Sequence, residues 1–397
     1  MMDRHGGASE PLPTGALRVL LFHNRAYPQV GGIETILTDM ALGLARRGAA
    51  VWLVAPGAVR PPQAHGLAGL RILSPDLGET RTALRRFEEF QEPGVLLREL
   101  SATDLVAALR MILRDFLPQV VICHTPLNLL LAAMARTGLP GGRRMRLVLF
   151  LHGLAAPTDP YRAFEAQAMA AADGLWCSSR ALAAEVQQRL GVAPAAIFNW
   201  RTAPYRLPEA LLRGSDPAAA PLVVLPSRMA PVKGTDLGVR ALRRLRTLRS
   251  GWRARLLGPV GSDPYRDHIL DLIRSAELTP HVEVVPYMDA WHMGRVLSTA
   301  ALTLLPSRSE SYGLVAEESL VWGTPVVAFA VGGLREAVAA RPHLARFAPA
   351  EDVEALARCM AEVLTGLPPQ APLACDQVAW AHEQLMARIM VGLRESF

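Results

Sequence analysis

Short apolar runs of strand length alternate along this chain with segments whose apolar residues return every three or four positions. The first such unit is Arg18-Val-Leu-Leu-Phe-His23, which predicts a strand. A loop through Gly31-Gly32 follows, and then Ile33, Ile36, Leu37, Met40, Ala41 and Leu44 recur at helical spacing up to a stop at Gly48. Residues 50–55 read as the next strand, and strand–helix–strand implies a right-handed crossover in a parallel sheet. Further strands are expected at 120–123, 147–151 and 174–177, the last after a helix containing 164–172. The mixed Arg/Glu stretch 57–104 predicts a long excursion from the sheet.

Four prolines, Pro204, Pro208, Pro217 and Pro221, among Ala, Gly and Asp, predict a linker over 204–220. Beyond it the alternation restarts, with strands at 222–225, 255–257, 282–285, 302–305 and 325–328. Helices at 235–248, 264–276, 290–299, 314–322 and 334–339 follow them. A final helix over 378–394 places Trp380, Leu385, Ile389 and Leu393 near one side. Two runs of alternating strands and helices predict an α/β chain of two Rossmann-like lobes with parallel sheets facing across a cleft. The expected divisions are a tail at 1–16, a first lobe at 17–203, the linker at 204–220, a second lobe at 221–377 and the final helix at 378–397.

Composition narrows the function. Of 397 residues, 51% are hydrophobic, which excludes disorder as the main state. No apolar run approaches the ~20 residues of a membrane helix, and the first sixteen residues lack the apolar core of a secretion signal. The four cysteines lie far apart with no C-x-x-C pair, against a zinc site or disulfide scaffold and in keeping with a reducing cytoplasm. The net charge is +6, and almost all of the basic side chains are arginine, Lys233 being the only lysine. The densest basic run, 240–255, places its arginines opposite Leu237, Ala241, Leu242, Leu245 and Leu248, as a solvated helix face does. Nothing calls for nucleic acid as a partner. Arg81, Arg85 and Arg86 are offset by Glu88 and Glu89, so membrane contact is not indicated.

Two stretches carry chemistry. In 305–328 (LPSRSESYGLVAEESLVWGTPVVA) a strand ends at Leu305, a polar loop runs to Gly313 and a helix begins. Its first turn offers unpaired amides and the positive dipole end to a phosphate. Glu310 lies in the loop and Glu318 in the helix, and a carboxylate suits paired sugar hydroxyls. In 225–234 (LPSRMAPVKG), Arg228 and Lys233 flank a turn between a strand and a helix, where two cations suit a diphosphate.

Together, SR-x4-KG, LLGPVG near Leu256, and PSRSE-S-Y-G-L-V-A-E-E followed by GTPVVA resemble the retaining GT-B glycosyltransferases of family 4, the glycosyl transferases group 1. Other features match in order: Gly31-Gly32-Ile33-Glu34, Leu151-His152-Gly153, SSRAL at 178–182, and VGG-x-x-E at 331–336. The resemblance implies a nucleotide-sugar donor on the second lobe, an acceptor (small metabolite or lipid-linked glycan) mainly on the first, and a last helix crossing back to the first lobe. Carried over by residue, Arg228 and Lys233 would hold the leaving diphosphate, Glu318 the ribose hydroxyls and Glu310 the donor sugar. The amides at Gly313, Leu314 and Val315 would cap a phosphate, Gly31 and Gly32 would admit the phosphates to the backbone, and His152 would contact the transferred sugar. His124 also ends a strand. Ser311-Tyr312 stands where the family commonly has Gly-Phe, and Asn199-Trp200 where it has Asn-Gly.

The implied reaction moves a sugar with retained configuration, without a bound cofactor. As no Asp-x-Asp occurs, fixed positive groups are expected in place of a metal. Three alternatives remain open at this point. A dinucleotide-dependent oxidoreductase would need G-x-G-x-x-G, which 24–32 (NRAYPQVGG) does not supply. A sugar-nucleotide epimerase and a nucleotide-sugar-binding protein would share the fold.

Overall fold

A computed structural model of the chain describes residues 15–23, 26, 31–75, 104–155, 162–201, 220–258, 264–286, 288 and 290–395. The expected tail at 1–16 and linker at 204–220 lie almost wholly outside the described residues, as does most of the excursion at 57–104. The chain divides into two compact units, residues 1–198 with 383–397 and residues 199–382.

The first unit runs β1 (Arg18–Phe22), α1 (Gly32–Arg46), β2 (Ala50–Val54), β3 (Leu70–Leu73), α2 (Asp104–Phe116), β4 (Val120–Cys123) and α3 (Pro126–Arg136). It continues through β5 (Arg146–Leu151), α4 (Arg162–Ala171), β6 (Gly174–Cys177), α5 (Arg180–Leu190) and β7 (Ala196–Ile197). The sheet order is β3-β2-β1-β4-β5-β6-β7, and all neighbours are parallel. β1, β2, β4 and β5 are buried nearly throughout, which is why they read as unbroken apolar runs rather than alternating ones. Thr125 caps α3 by accepting from the Asn128 amide at 3.3 Å, and Pro126 follows at the first helical position.

One expectation needs correction here. The stretch after Gly57 does not stay clear of the sheet: β3 pairs with β2 from Val51↔Leu70 to Val54↔Leu73. Its four residues, LRIL, hide the pattern because Arg71 interrupts them, and that guanidinium lies 5.1 Å over the Trp52 ring.

The second unit contains β8 (Leu222–Leu225), α6 (Thr235–Leu248), β9 (Arg253–Gly258), α7 (Pro264–Ser275), β10 (Val282–Pro286), α8 (Ala290–Thr299) and β11 (Leu302–Leu305). After these come α9 (Leu314–Val321), β12 (Val326–Phe329), α10 (Leu334–Ala337), β13 (Ala345–Ala348) and α11 (Val353–Gly366). The order β10-β9-β8-β11-β12-β13 is again wholly parallel. β13 and α11 are additions to the elements expected from sequence; Leu356, Ala357, Met360 and Val363 form the buried face of α11, with Asp352 capping its start. On α6, Arg240, Arg243 and Arg244 are exposed, and Arg244 pairs with Glu354 at 2.7 Å, so the basic run is a solvated face.

The final helix, α12 (Cys375–Glu395), begins in the second unit and ends in the first. Within the first unit Arg388 Nη2 donates to the Ile197 carbonyl at 3.2 Å and Arg47 Nη2 to the Glu383 carbonyl at 2.8 Å. Trp380 corrects a second expectation. It is 67% exposed, whereas Val378, His382, Leu385, Met386, Ile389 and Leu393 are buried. Trp380 stands five residues before Leu385, about 140° round the helix from it, outside the stripe that steps by three and four. No helix among the described residues is long and apolar enough to cross a membrane.

Candidate functional site

Each sheet reverses its strand order once, between β1 and β4 in the first unit and between β8 and β11 in the second. In open parallel sheets ligands bind outside the carboxyl ends of the strands at such a switch point. The residues singled out from sequence gather at these two places.

In the second unit, Lys233 comes from the loop after β8 and Glu310 from the loop after β11. Lys233 Nζ donates to Glu310 Oε1 at 2.7 Å, and Ser307 Oγ donates to the same oxygen at 2.7 Å. The pair is sheltered, the lysine side chain being 22% and the glutamate 10% exposed. Gly234, at φ 62°, lets the lysine loop lie directly on the other loop: a Cβ there would stand 1.9 Å from the Pro306 carbonyl oxygen. Gly332, at φ 50°, does the same for Glu310, since its Cβ would fall 1.7 Å from the Glu310 carbonyl oxygen. That oxygen accepts from the Gly333 amide at 3.0 Å, so the VGG segment fixes the glutamate's backbone.

Sequence reasoning missed the clamp that holds the lysine loop. Arg308 binds Asp236 through both ends of its guanidinium, at 2.9 and 2.8 Å, and Nη1 also donates to the Pro231 carbonyl at 2.6 Å. The Arg308 amide donates to the Val232 carbonyl at 2.9 Å. Tyr265 Oη donates to Asp236 Oδ1 at 2.8 Å. Burial pushes the Asp236 carboxyl up, but the hydrogen bonds from Arg308 and Tyr265 and the guanidinium charge outweigh it and hold the group at about 2. The available signal was an acid in the first turn of α6 and an arginine within the glutamate loop.

At the other end of the glutamate loop, Gly313 precedes α9, whose first two amides, Leu314 and Val315, have no partner one turn back. Glu318 lies one turn in, half-buried. Tyr312 is buried, its hydroxyl has no partner among the described residues, and burial together with Glu317 pushes it above the usual phenol range. Arg228 is not drawn into this cluster. It is exposed on the loop after β8 and makes no ion pair among the described residues.

In the first unit three adjacent strands, β1, β4 and β5, are each followed at once by a histidine: His23, His124 and His152. His124 Nδ1 and His152 Nε2 are 2.9 Å apart, with their rings coplanar within 1°. Asn128 Nδ2 donates to His23 Nδ1 at 2.8 Å, and the His23 and His124 ring centres lie 6.2 Å apart. Burial, reinforced by the neighbouring histidines, holds His124 far below the ordinary range and His152 at about 3. Both are therefore neutral at pH 7. His23 was read from sequence only as a strand terminus; the alignment of Phe22 with Cys123 and of Cys123 with Leu149 brings the three together.

Gly31 and Gly32 open α1. Gly31 has extended backbone, but a Cβ there would press on the Glu34 carboxylate, whereas a Cβ on Gly32 would meet nothing within 4 Å. Glu34, at the third helical position, turns its carboxylate back toward Gly31 as in a capping box. No group of three or more His, Cys, Asp or Glu among the described residues is placed to hold a metal ion. The second-unit site thus offers a lysine, a carboxylate and the amides of a helix end, a set suited to a phosphorylated polyol.

Comparison with known proteins agrees with these features. Residues 30–200 match the family model described as Glycosyltransferase Family 4, and residues 215–372 match that described as Glycosyl transferases group 1. A D-inositol 3-phosphate glycosyltransferase of Kineococcus radiotolerans is 34% identical over 189 residues, covering 44% of this chain and 43% of that protein. One from Streptosporangium roseum is 36% identical over 129 residues, covering 31% and 30%. In these matches the chain spans less than half the length of the curated relatives. Among solved structures, sucrose-phosphate synthase from Thermosynechococcus elongatus superposes with a TM-score of 0.74 at 18% identity, covering 96% of this chain and 98% of that one. Anabaena HepE in complex with UDP and glucose gives 0.70 at 16%, covering 96% and 100%. At such identities the structural likeness speaks for the fold.

Proposed function

Because this chain belongs to the GT-B glycosyltransferases of family 4, with a group 1 glycosyl transferase domain as its second unit, we propose that it transfers a sugar from a nucleoside diphosphate to an acceptor hydroxyl with the anomeric configuration retained. The observation that carries this reading is the Lys233–Glu310 pair at the switch point of the second sheet, beside the amino end of α9. The relatives point the same way: the curated ones are glycosyltransferases, and the Anabaena neighbour was solved with UDP and glucose.

In this proposal the donor diphosphate takes Lys233 as its point charge, and the amides of Gly313, Leu314 and Val315 receive a second phosphate oxygen. Arg228, exposed and uncommitted to any ion pair among the described residues, swings onto the diphosphate. Glu318 binds the ribose hydroxyls. Glu310, relieved of Lys233 by the incoming phosphate, turns to the sugar hydroxyls near the reacting carbon. His152 contacts the transferred sugar, and Gly31 and Gly32 bring main-chain amides to the phosphates. As the bond from the anomeric carbon to the diphosphate oxygen breaks, negative charge grows on the phosphate. Preplaced cations and amides stabilise that charge more in the transition state than in the ground state. The acceptor oxygen forms its bond to the same face of the anomeric carbon, and its proton passes to the departing phosphate. No residue here need serve as a nucleophile, and the fixed positive groups take the place of a divalent metal. The acceptor is a small metabolite or a lipid-linked glycan, and the setting is cytoplasmic.

The test is a transfer assay over a panel of UDP-, GDP- and ADP-sugars with polyol and glycan acceptors, run with and without EDTA. Turnover that survives EDTA, gives the retained anomer by NMR and falls at least a hundredfold in Lys233→Ala is expected. Full turnover in Lys233→Ala would refute the assignment. Epimerised nucleotide sugar without any transfer would replace it with the epimerase reading.

A further inference from the structure

The histidine pair of the first unit carries information beyond the presence of a histidine near a sugar. His124 is 1% exposed, its Nδ1 stands 2.9 Å from His152 Nε2, and its Nε2 is buried with no partner among the described residues. A neutral imidazole has one N–H and one bare nitrogen, and only one of the two rings donates in this contact. If His152 donated from Nε2, His124 would carry its own proton on Nε2 and bury an N–H with no acceptor. If His124 donates from Nδ1, its Nε2 is a bare acceptor in the same place. Buried donors without partners are the rarer and costlier case.

We propose that His124 is a positioning residue that donates from Nδ1 to His152 Nε2, locking His152 in the Nδ1–H tautomer so that it meets substrate as a hydrogen-bond donor. An unconstrained neutral histidine side chain favours the proton on Nε2, so this state has to be imposed. Phe150 supports the arrangement, its ring centre lying 4.4 Å from that of His152 and 5.6 Å from that of His124. Burial and the neighbouring histidines keep both rings neutral, so each has a single tautomeric proton to place. His152 Nδ1 is then the ring atom left for an oxygen of the bound substrate. It can donate to that oxygen but cannot act as a base toward the acceptor hydroxyl. The tautomer stands on the geometry alone; its effect on turnover rests on the glycosyltransferase reading.

The experiment is long-range ¹H–¹⁵N correlation of the full chain labelled with ¹⁵N-histidine, assigned by the signal lost in His152→Asn. Expected at pH 7 is an Nδ1–H tautomer for His152 in the wild type, reverting to Nε2–H in His124→Phe. In His124→Asn the side-chain amide reaches the Nδ1 position and keeps the wild-type pattern. In the transfer assay, kcat falls at least tenfold in His124→Phe and returns to within threefold in His124→Asn, while nucleotide-sugar affinity stays unchanged in both. An Nε2–H signal for wild-type His152, or a tautomer indifferent to His124→Phe, overturns the proposal. Equal impairment of the Asn and Phe variants in kcat overturns the positioning role. A wild type without any transferase turnover sinks the reaction assigned above, and the NMR spectra then still decide the tautomer.

Discussion

Replacing Arg308 by glutamine tests whether the lysine loop is held electrostatically. In the native protein Arg308 binds both oxygens of Asp236, whose side chain is 11% exposed, while the guanidinium is itself 33% exposed. Lowering the Asp236 carboxyl from its ordinary 3.8 to about 2 corresponds to roughly 2.5 kcal/mol. Allowing for solvent screening of the partly exposed arginine leaves about 2 kcal/mol. Arg308→Gln removes the larger share of that contribution, Tyr265 supplying the rest, and leaves a buried carboxylate with Tyr265 as its remaining side-chain donor, which burial then drives upward. Because the native value is depressed, the stabilisation is complete above the unfolded value near 4 and is lost as pH falls through about 2. The gap in urea-unfolding free energy between wild type and Arg308→Gln should therefore hold at about 2 kcal/mol from roughly pH 5 to 8 and close on further acidification. Adding Asp236→Asn to each background should return a coupling of similar size. A gap under about 0.5 kcal/mol at pH 7, or one that persists undiminished to pH 3, would refute this account of the loop.

Other consequences can be checked directly. Gly332→Ala forces a Cβ onto the Glu310 carbonyl at a positive φ, so thermal unfolding should show a loss above about 2 kcal/mol, with donor binding weakened in titration calorimetry. Lys233→Ala should weaken nucleotide-sugar binding by at least tenfold, about 1.4 kcal/mol, and should also lower Tm, because it leaves the sheltered Glu310 carboxylate with Ser307 as its remaining side-chain donor. Cys177, which burial pushes up to about 12, and Cys123, which burial pushes higher still, should resist a thiol reagent in the native protein. Both should react on unfolding, whereas the half-buried Cys375 reacts first; early labelling of Cys123 would contradict the packing of β4.

Much of the fold was legible because a parallel sheet covered on both faces demands strands apolar on every residue. β4, β8 and β12 meet that demand without interruption, β1 and β5 do so after a leading arginine, and β11 departs from it only at the buried Thr303. Helices such as α6 and α8 declared themselves by their spacing. β3 escaped because Arg71 breaks its pattern, whereas α12 was expected and only its buried face was misjudged, Trp380 standing out of phase with Leu385, Ile389 and Leu393. The residue types of the second-unit site were also readable, since a lone lysine and paired glutamates at fixed distance from two strand ends are local facts.

Contacts between distant segments were not readable. Lys233 and Glu310 are 77 positions apart, Arg308 and Asp236 72, and His23 and Asn128 105, and no local pattern encodes such pairings. They arise because strand order, not chain order, decides which loops become neighbours: β8 lies beside β11, and β1 beside β4. The residue alphabet thus set the secondary structure and the kinds of chemistry on offer. Which charge meets which, and which histidine donates to which, followed from the register of the sheets, a long-range property settled by packing the whole core at once.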